Sequence, residues 1–180
     1  MQDVEDQVWV TLESMLRNRG YTMTQLPRTS KFFVVDGKKK PVLVVFPDDH
    51  GIAAVRSAVT AVQEKGGDTV VMVTTQELTH PAAKDVLSIM ESERVFITVF
   101  TRRQLMFDIY THVLVPRHRL LLDDEKHALL KRLGVGVEDL RLLKLSDPMA
   151  RYMGARPGDV FEIRRVTPTV GLDISYRGVV

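Results

Sequence analysis

Cysteine is absent from the 180 residues, which removes disulfide frameworks, cysteine-ligated zinc and thiol catalysis together. A reducing compartment is compatible with that absence. No apolar run approaches the ~20 residues needed to cross a bilayer, so no membrane partner is expected. The first residues, Met1-Gln2-Asp3-Val4-Glu5-Asp6, are acidic and lead into an amphipathic segment, unlike a secretory or mitochondrial targeting peptide. Internal repeats and low-complexity segments are lacking as well. Charge of one sign is in short supply: the net charge is +2, with the basic excess in the C-terminal part, too small a bias to establish phosphate binding by itself.

Core-forming residues, by contrast, are plentiful. The chain is 44% apolar and 27% charged, close to the globular average and far from the composition of disordered chains. Folding at this length buries roughly 70% of the unfolded surface, enough for one domain or two small ones.

Apolar positions Val8, Leu12, Met15 and Leu16 form a helical stripe within Val4 to Arg19, and Gly20 stands where a left-handed cap would stop it. Phe32–Val35 and Val42–Phe46 read as a hairpin around the turn chemistry of Asp36-Gly37-Lys38-Lys39-Lys40-Pro41. Helix Ile52–Lys65, strand Thr69–Thr74, helix Pro81–Met90 and strand Val95–Phe100 then alternate. That order predicts crossover connections and a mixed, partly parallel sheet flanked by helices. The continuous run Val70-Val71-Met72-Val73 suits a strand buried on both faces, with Gly66-Gly67 ending the helix before it. Thr101 to Ile109 reads as helical, with Thr101 and Gln104 spaced for a capping box.

Beyond Tyr110 the elements shorten, which predicts a division into domains 1–108 and 109–180, the second a small α+β unit. His112 to Pro116 reads as a strand. Asp123 or Asp124 can cap a helix through Leu133 that turns Leu129, Leu130 and Leu133 to one side, and Gly134 ends it. Asp147-Pro148 starts a further helix turn, since Asp accepts from free N–H groups and Pro lacks the hydrogen anyway; Gly154 closes it. Val160–Val166 and Asp173–Val179 pair as a hairpin.

Catalytic constellations are thin. Gly134-Val135-Gly136 lacks the third glycine of a dinucleotide loop and follows no strand, and a Gly-Lys-Ser/Thr phosphate loop is missing; no cofactor is expected. On a strand, His112 and His118 would lie about 20 Å apart, too far for one metal. A metal-dependent nuclease is the alternative, using Asp36-Gly37-Lys38 and Pro47-Asp48-Asp49 to hold a divalent ion, but here the Asp-x-Lys element comes first and lies in a turn. A free nucleic-acid-binding module is the third reading. Trp9, beside the apolar face of the first helix, reads as a packing residue, and so do Met149 and Met153, four apart on one helix face.

Three stretches carry more information: Thr111-His112-Val113-Leu114-Val115-Pro116-Arg117-His118, Asp147-Pro148-Met149-Ala150-Arg151-Tyr152-Met153-Gly154 and Ile174-Ser175-Tyr176-Arg177. In this order they resemble the assembly domain of the fifth subunit shared by eukaryotic nuclear DNA-directed RNA polymerases, which has a homologue in the archaeal enzyme. Gly158, Arg165 and Gly171 also fall at matching positions, and the match spans about 70 residues. The N-terminal part is similar more loosely, at Arg19-Gly20-Tyr21, Val44-Val45-Phe46-Pro47, Val70 to Thr74 and Leu78-Thr79-His80-Pro81-Ala82-Ala83-Lys84.

The resemblance implies a non-catalytic polymerase subunit in the nucleus. Its C-terminal assembly domain would dock on the largest subunit and touch neighbouring subunits, with His112, Pro116, His118, Asp147, Pro148, Arg151, Tyr152, Arg165, Tyr176 and Arg177 as interface candidates. A jaw-like N-terminal domain would lie near downstream DNA, with Thr79, Pro81, Ala83 and Lys84 as contacts. Physically, a helix N-terminus at Pro81 offers free N–H groups to a phosphate and Lys84 adds a positive charge one turn in, without sequence specificity. One departure is clear. Thr167-Pro168-Thr169-Val170-Gly171-Leu172-Asp173 replaces a Ser-Glu-Thr-Ala-Gly-Arg-Tyr-like turn, losing an acid, an Arg and a Tyr, which points to a divergent version with a changed partner surface there.

Overall fold

A computed structural model describes residues 2–22, 27–36, 39–47, 52–167, 169 and 171–180. Residues 48 and 49, the carboxylates of the nuclease alternative, lie outside the described residues, as do 37 and 38 of the first turn and 168 and 170 of the last. The chain divides into two compact units, Met1–Phe107 and Asp108–Val180.

In the first unit, helix α1 (Gln2–Asn18) precedes a hairpin of β1 (Lys31–Asp36) and β2 (Lys39–Val45). Helix α2 (Ile52–Glu64), β3 (Thr69–Thr74), helix α3 (His80–Glu93) and β4 (Phe96–Thr101) follow. The sheet order is β1-β2-β3-β4, antiparallel at the hairpin and parallel thereafter, the mixed sheet expected of a hairpin feeding two crossover helices. One sheet face presents Leu43, Val70, Met72 and Ile97 to Val55, Val59 and Val62 of α2 and to Val86 and Ile89 of α3. On the other face Phe32, Val34, Val44 and Val71 are buried, and the Trp9 ring of α1 lies 5.7 Å from Phe32 and 4.6 Å from Phe46. Trp9 is thus a packing residue, as its position on α1 predicts. Fully buried side chains of this kind each contribute about 1.5–3 kcal/mol.

The glycine pair after α2 serves two ends. Gly66 adopts φ +72°, the left-handed conformation that stops a helix. At Gly67 a Cβ would fall 2.3 Å from the Pro41 carbonyl oxygen, so the backbone of β2 can approach only a residue without a side chain.

One expectation for this unit is corrected. Residues 101–109 do not form one helix but a 3-10 turn, Arg102–Leu105, followed by a second, Ile109–Thr111. The capping box itself forms, with Gln104 N–H donating to Thr101 Oγ1 and Thr101 N–H donating to Gln104 Oε1. Its two bonds close a tight turn that does not continue.

The second unit has β5 (Arg117–Leu120), α4 (Asp123–Leu133), β6 (Arg141–Leu143), α5 (Pro148–Met153), β7 (Val160–Thr167) and β8 (Gly171–Val179). Its sheet order is β5-β7-β8-β6, antiparallel except for the β6–β8 pair. Strand alternation sends Phe161, Ile163 and Val179 to one face, where Ala150, Ala155 and Leu143 complete a core under α5. Val160 points to the opposite face, under Leu121 and Leu129 at α4.

Two more expectations change here. His112 to Pro116 is a turn, closed by Val115 N–H donating to the His112 carbonyl at 3.0 Å, and the strand begins only at Arg117; His112 and His118 therefore do not share a strand. In α4 neither Asp123 nor Asp124 is the cap. Glu125 reaches back to accept from the Leu122 N–H at 3.0 Å, and Leu133 is 47% exposed rather than core. The hairpin β7–β8 and the Asp147-capped turn form as predicted.

Candidate partner and nucleic-acid surfaces

Helix α5 is only six residues long, too short to persist without caps and packing. Asp147 supplies the cap, its Oδ1 accepting from Met149 N–H at 2.8 Å and Ala150 N–H at 3.4 Å, while Gly154 ends the helix at φ +67°. The turn buries Met149, Ala150 and Tyr152 and leaves Pro148 exposed and Arg151 half-buried. Tyr152 is 1% exposed. It therefore has almost no surface to offer a partner, in contrast to the direct contact expected of it.

Tyr152 acts outward through another ring. It stacks on Tyr110, with centroids 6.0 Å apart and planes 4° off parallel, and the Arg117 guanidinium carbon lies 5.5 Å from the Tyr110 centroid. A column of two aromatic rings and a cation thus runs from the core to the surface, held by stacking and cation–π attraction. Asp108 Oδ1 fixes its base by accepting from the Tyr110 N–H.

The adjoining turn is built around its histidines. His112 Nδ1 accepts from the Leu114 N–H at 3.2 Å, which places the ring proton of the neutral form on Nε2. His118 has the opposite arrangement: its Nδ1 donates to the Pro116 carbonyl at 2.7 Å, and the ring packs edge-on against Phe161. His118 is buried, so it supports the turn from beneath. What the turn shows to solvent is Val113 and Leu114, 97% and 84% exposed.

The remaining interface candidates do not form one patch. His118, Arg165 and Arg177 share a sheet face with the α5 core, whereas Tyr176 pairs with Glu162 on the other. Arg165 lies exposed near the hairpin tip, opposite Asp173.

A charge cluster escaped the sequence reading. Glu162 is buried; it accepts from Arg164 Nε at 2.7 Å and from Arg119 at 3.2 Å, and Arg119 also forks onto both Glu125 oxygens at 2.7 and 2.8 Å. Burial by itself would raise the Glu162 pKa, but hydrogen bonds from Arg119 and Arg164, together with their charges, outweigh it and hold the carboxyl below its ordinary value. Hydrogen bonds from Arg119 and then from the Leu122 N–H lower Glu125, and those to Glu125 and Glu162 raise Arg119. The cluster borders a groove of about 220 Å³ between α4 and the sheet, floored by Leu121, Leu129 and Tyr176. The signal was there: Glu162 and Arg164 are two apart on a strand, hence on one face.

In the first unit, Thr79, Pro81, Ala83 and Lys84 are all exposed. Thr79 occupies the N-cap position of α3 without bonding to it through its side chain, and no acidic residue lies in the first turn. The helix N-terminus therefore keeps its partial positive charge uncompensated, next to Lys84.

Comparison with known proteins gives these surfaces a context. The family model for RNA polymerase Rpb5, C-terminal domain, matches residues 107–179. "DNA-directed RNA polymerase subunit Rpo5" of Thermococcus onnurineus is 49% identical over 74 residues, covering 41% of this chain and 90% of that protein. Its counterpart of the same name in Pyrococcus abyssi is 47% identical over the same length and shares. "DNA-directed RNA polymerases I, II, and III subunit rpabc1" of Dictyostelium discoideum is 28% identical over 194 aligned positions, covering 98% of each chain. With so close a match across nearly the whole of the archaeal proteins, the chain belongs to the Rpb5/Rpo5 family of DNA-directed RNA polymerase subunits.

Proposed function

We propose that this chain is a non-catalytic subunit of a nuclear DNA-directed RNA polymerase, docking on the largest subunit through residues 108–180 and directing its first unit toward downstream DNA. One observation carries the reading. The Rpb5 C-terminal family model matches residues 107–179, and the archaeal Rpo5 relatives align over 90% of their own length with only 74 residues of this chain, which supports a polymerase subunit needing little beyond the second unit. The attachment surface belongs there. The Dictyostelium relative, which aligns over both units, supports a eukaryotic setting and hence the nucleus.

Within the second unit the exposed candidates are the Val113-Leu114 turn held by His112, the outer side of α5 at Pro148 and Arg151, and Arg165. Asp147, Pro116, His118 and Tyr152 shape these from behind; Tyr176 and Arg177, pointing to opposite faces, cannot serve one contact together. In the first unit Thr79, Pro81, Ala83 and Lys84 would take a phosphate of duplex DNA at the N-terminus of α3, without reading sequence.

Purifying the tagged chain and identifying the polymerase subunits that accompany it tests the docking. The expected result is a largest subunit in the wild-type preparation and its loss with Arg151→Ala while the circular dichroism spectrum is retained. Copurification unchanged by Arg151→Ala would remove that residue from the interface. For the DNA contact, Lys84→Ala should lower the salt slope of downstream-duplex binding by about one; an unchanged slope would remove it.

A further inference from the structure

The β7–β8 hairpin continues past both helices that cover the sheet, and its two faces differ in kind. Val166 pairs with Leu172 and Arg164 with Ile174 on one face; Arg165 pairs with Asp173 and Thr167 with Gly171 on the other. Val166, Leu172 and Ile174 are 81%, 58% and 44% exposed. A hairpin tip meant only for water has no reason to segregate its apolar side chains, and a cross-strand aliphatic pair facing solvent forfeits the burial that stabilises such pairs. Along β8 the row continues from Leu172 and Ile174 to Tyr176 and the groove beside α4, with Arg164 and Glu162 opposite it on β7. Arg164 lies on this same face opposite Ile174, and with Arg119 and Arg132 it outnumbers the neighbouring Glu125 and Glu162.

From this juxtaposition we infer that the apolar face of the hairpin arm is a second docking site, occupied by an amphipathic segment of a neighbouring polymerase subunit that sets carboxylates beside its apolar residues. The inference rests on the polymerase reading above. Aliphatic side chains at the centre exclude nucleic acid as the main occupant, because they offer a phosphate no donor, while the arginine rim favours an acidic edge on the incoming segment. The opposite, polar face remains in solvent.

The test uses the assembled polymerase, purified through the tagged chain with a photoreactive benzophenone residue in place of Leu172 or, from the opposite face, Asp173. Irradiation should join position 172 to a peptide of another subunit bearing acidic and apolar residues, at least fivefold more than position 173. A companion variant, Leu172→Thr, should dissociate from the polymerase several-fold faster in a salt wash than Asp173→Thr. Equal yields at the two positions, a crosslink to nucleic acid or to a second copy of this chain, or equal dissociation rates would overturn the docking site while leaving the polymerase assignment standing. If the unmodified chain brought down no polymerase subunit, both would fall.

Discussion

The two units of this chain handle their apolar surface in opposite ways. The first covers both faces of its sheet with its own helices, so that Val42, Val44, Val70 and Val71 are all fully buried. Among the described residues, its exposed large apolar side chains are the scattered Val10, Leu87 and Phe107. The second leaves Val113 and Leu114 side by side in one turn and Val166, Leu172 and Ile174 together on one strand face. Scattered exposure is normal for a free surface, whereas contiguous exposure marks an interface. The lesson is that the first unit covers its apolar surface with its own chain while the second, which the Rpb5 C-terminal family model matches at residues 107–179, leaves part of its apolar surface contiguous and exposed.

Breaking the second unit without touching the first should have the largest effect. Tyr152→Ala removes a fully buried ring and the support of Tyr110, and should cost about 3–5 kcal/mol. Hydrogen exchange should show protection lost in residues 108–180 and kept in β2 and β3; equal loss in both would show that the units do not unfold separately.

Next comes Glu162→Ala, which takes the carboxylate from Arg164 and leaves Arg119 with Glu125 alone. Both arginines are about half exposed, so water screens them and the expected loss is only about 1–2 kcal/mol, read from denaturant midpoints. The same site gives a pH signature. Because the folded Glu162 pKa lies below the ordinary 4.5, its stabilisation is complete above roughly that pH and is lost as pH falls through the depressed value. Glu162→Gln should flatten this acid limb, and an unchanged limb would assign it to other carboxylates.

A smaller loss, about 1 kcal/mol, is expected for Asp147→Ala, with Asp147→Asn restoring most of it. The smallest effect should be a gain, in the first unit. The Thr98 hydroxyl is buried without a hydrogen-bond partner, and Thr98→Val should raise stability by about 0.5–1 kcal/mol. A loss there would mean that the hydroxyl is paired after all.

The first unit was the more legible in sequence because its elements are long and its periods clear: the run from Val70 to Val73 and the stripe of α1 both emerged as read. In the second unit, local chemistry was legible where one residue settles the backbone, as at Asp147, Pro148 and Gly154. It misled where a β-branched run met a histidine. His112 to Pro116 reads as a strand by composition, but the His112 ring captures the Leu114 N–H that a ladder would need. β6, three residues long, is too short to show any period. The functional surface was harder still. Tyr152 stood out as an interface candidate but is buried, while Arg119 joins the Glu162–Arg164 pair only once β5 and β7 pair, a non-local event that spacing within one segment cannot reveal.

The strand order β5-β7-β8-β6 also sets a timetable. β6 has β8 as its single neighbour, although 27 residues separate Leu143 from Gly171. At about 5–20 residues per second, a ribosome needs seconds to supply that partner, during which Leu142 and Leu143 have nothing to pair with. The first unit holds all its strands by Thr101 and can close meanwhile. A truncated nascent chain stalled before β8 would thus carry a first unit with its sheet complete and a second unit lacking the strand that β6 pairs with and that β7 needs on one side.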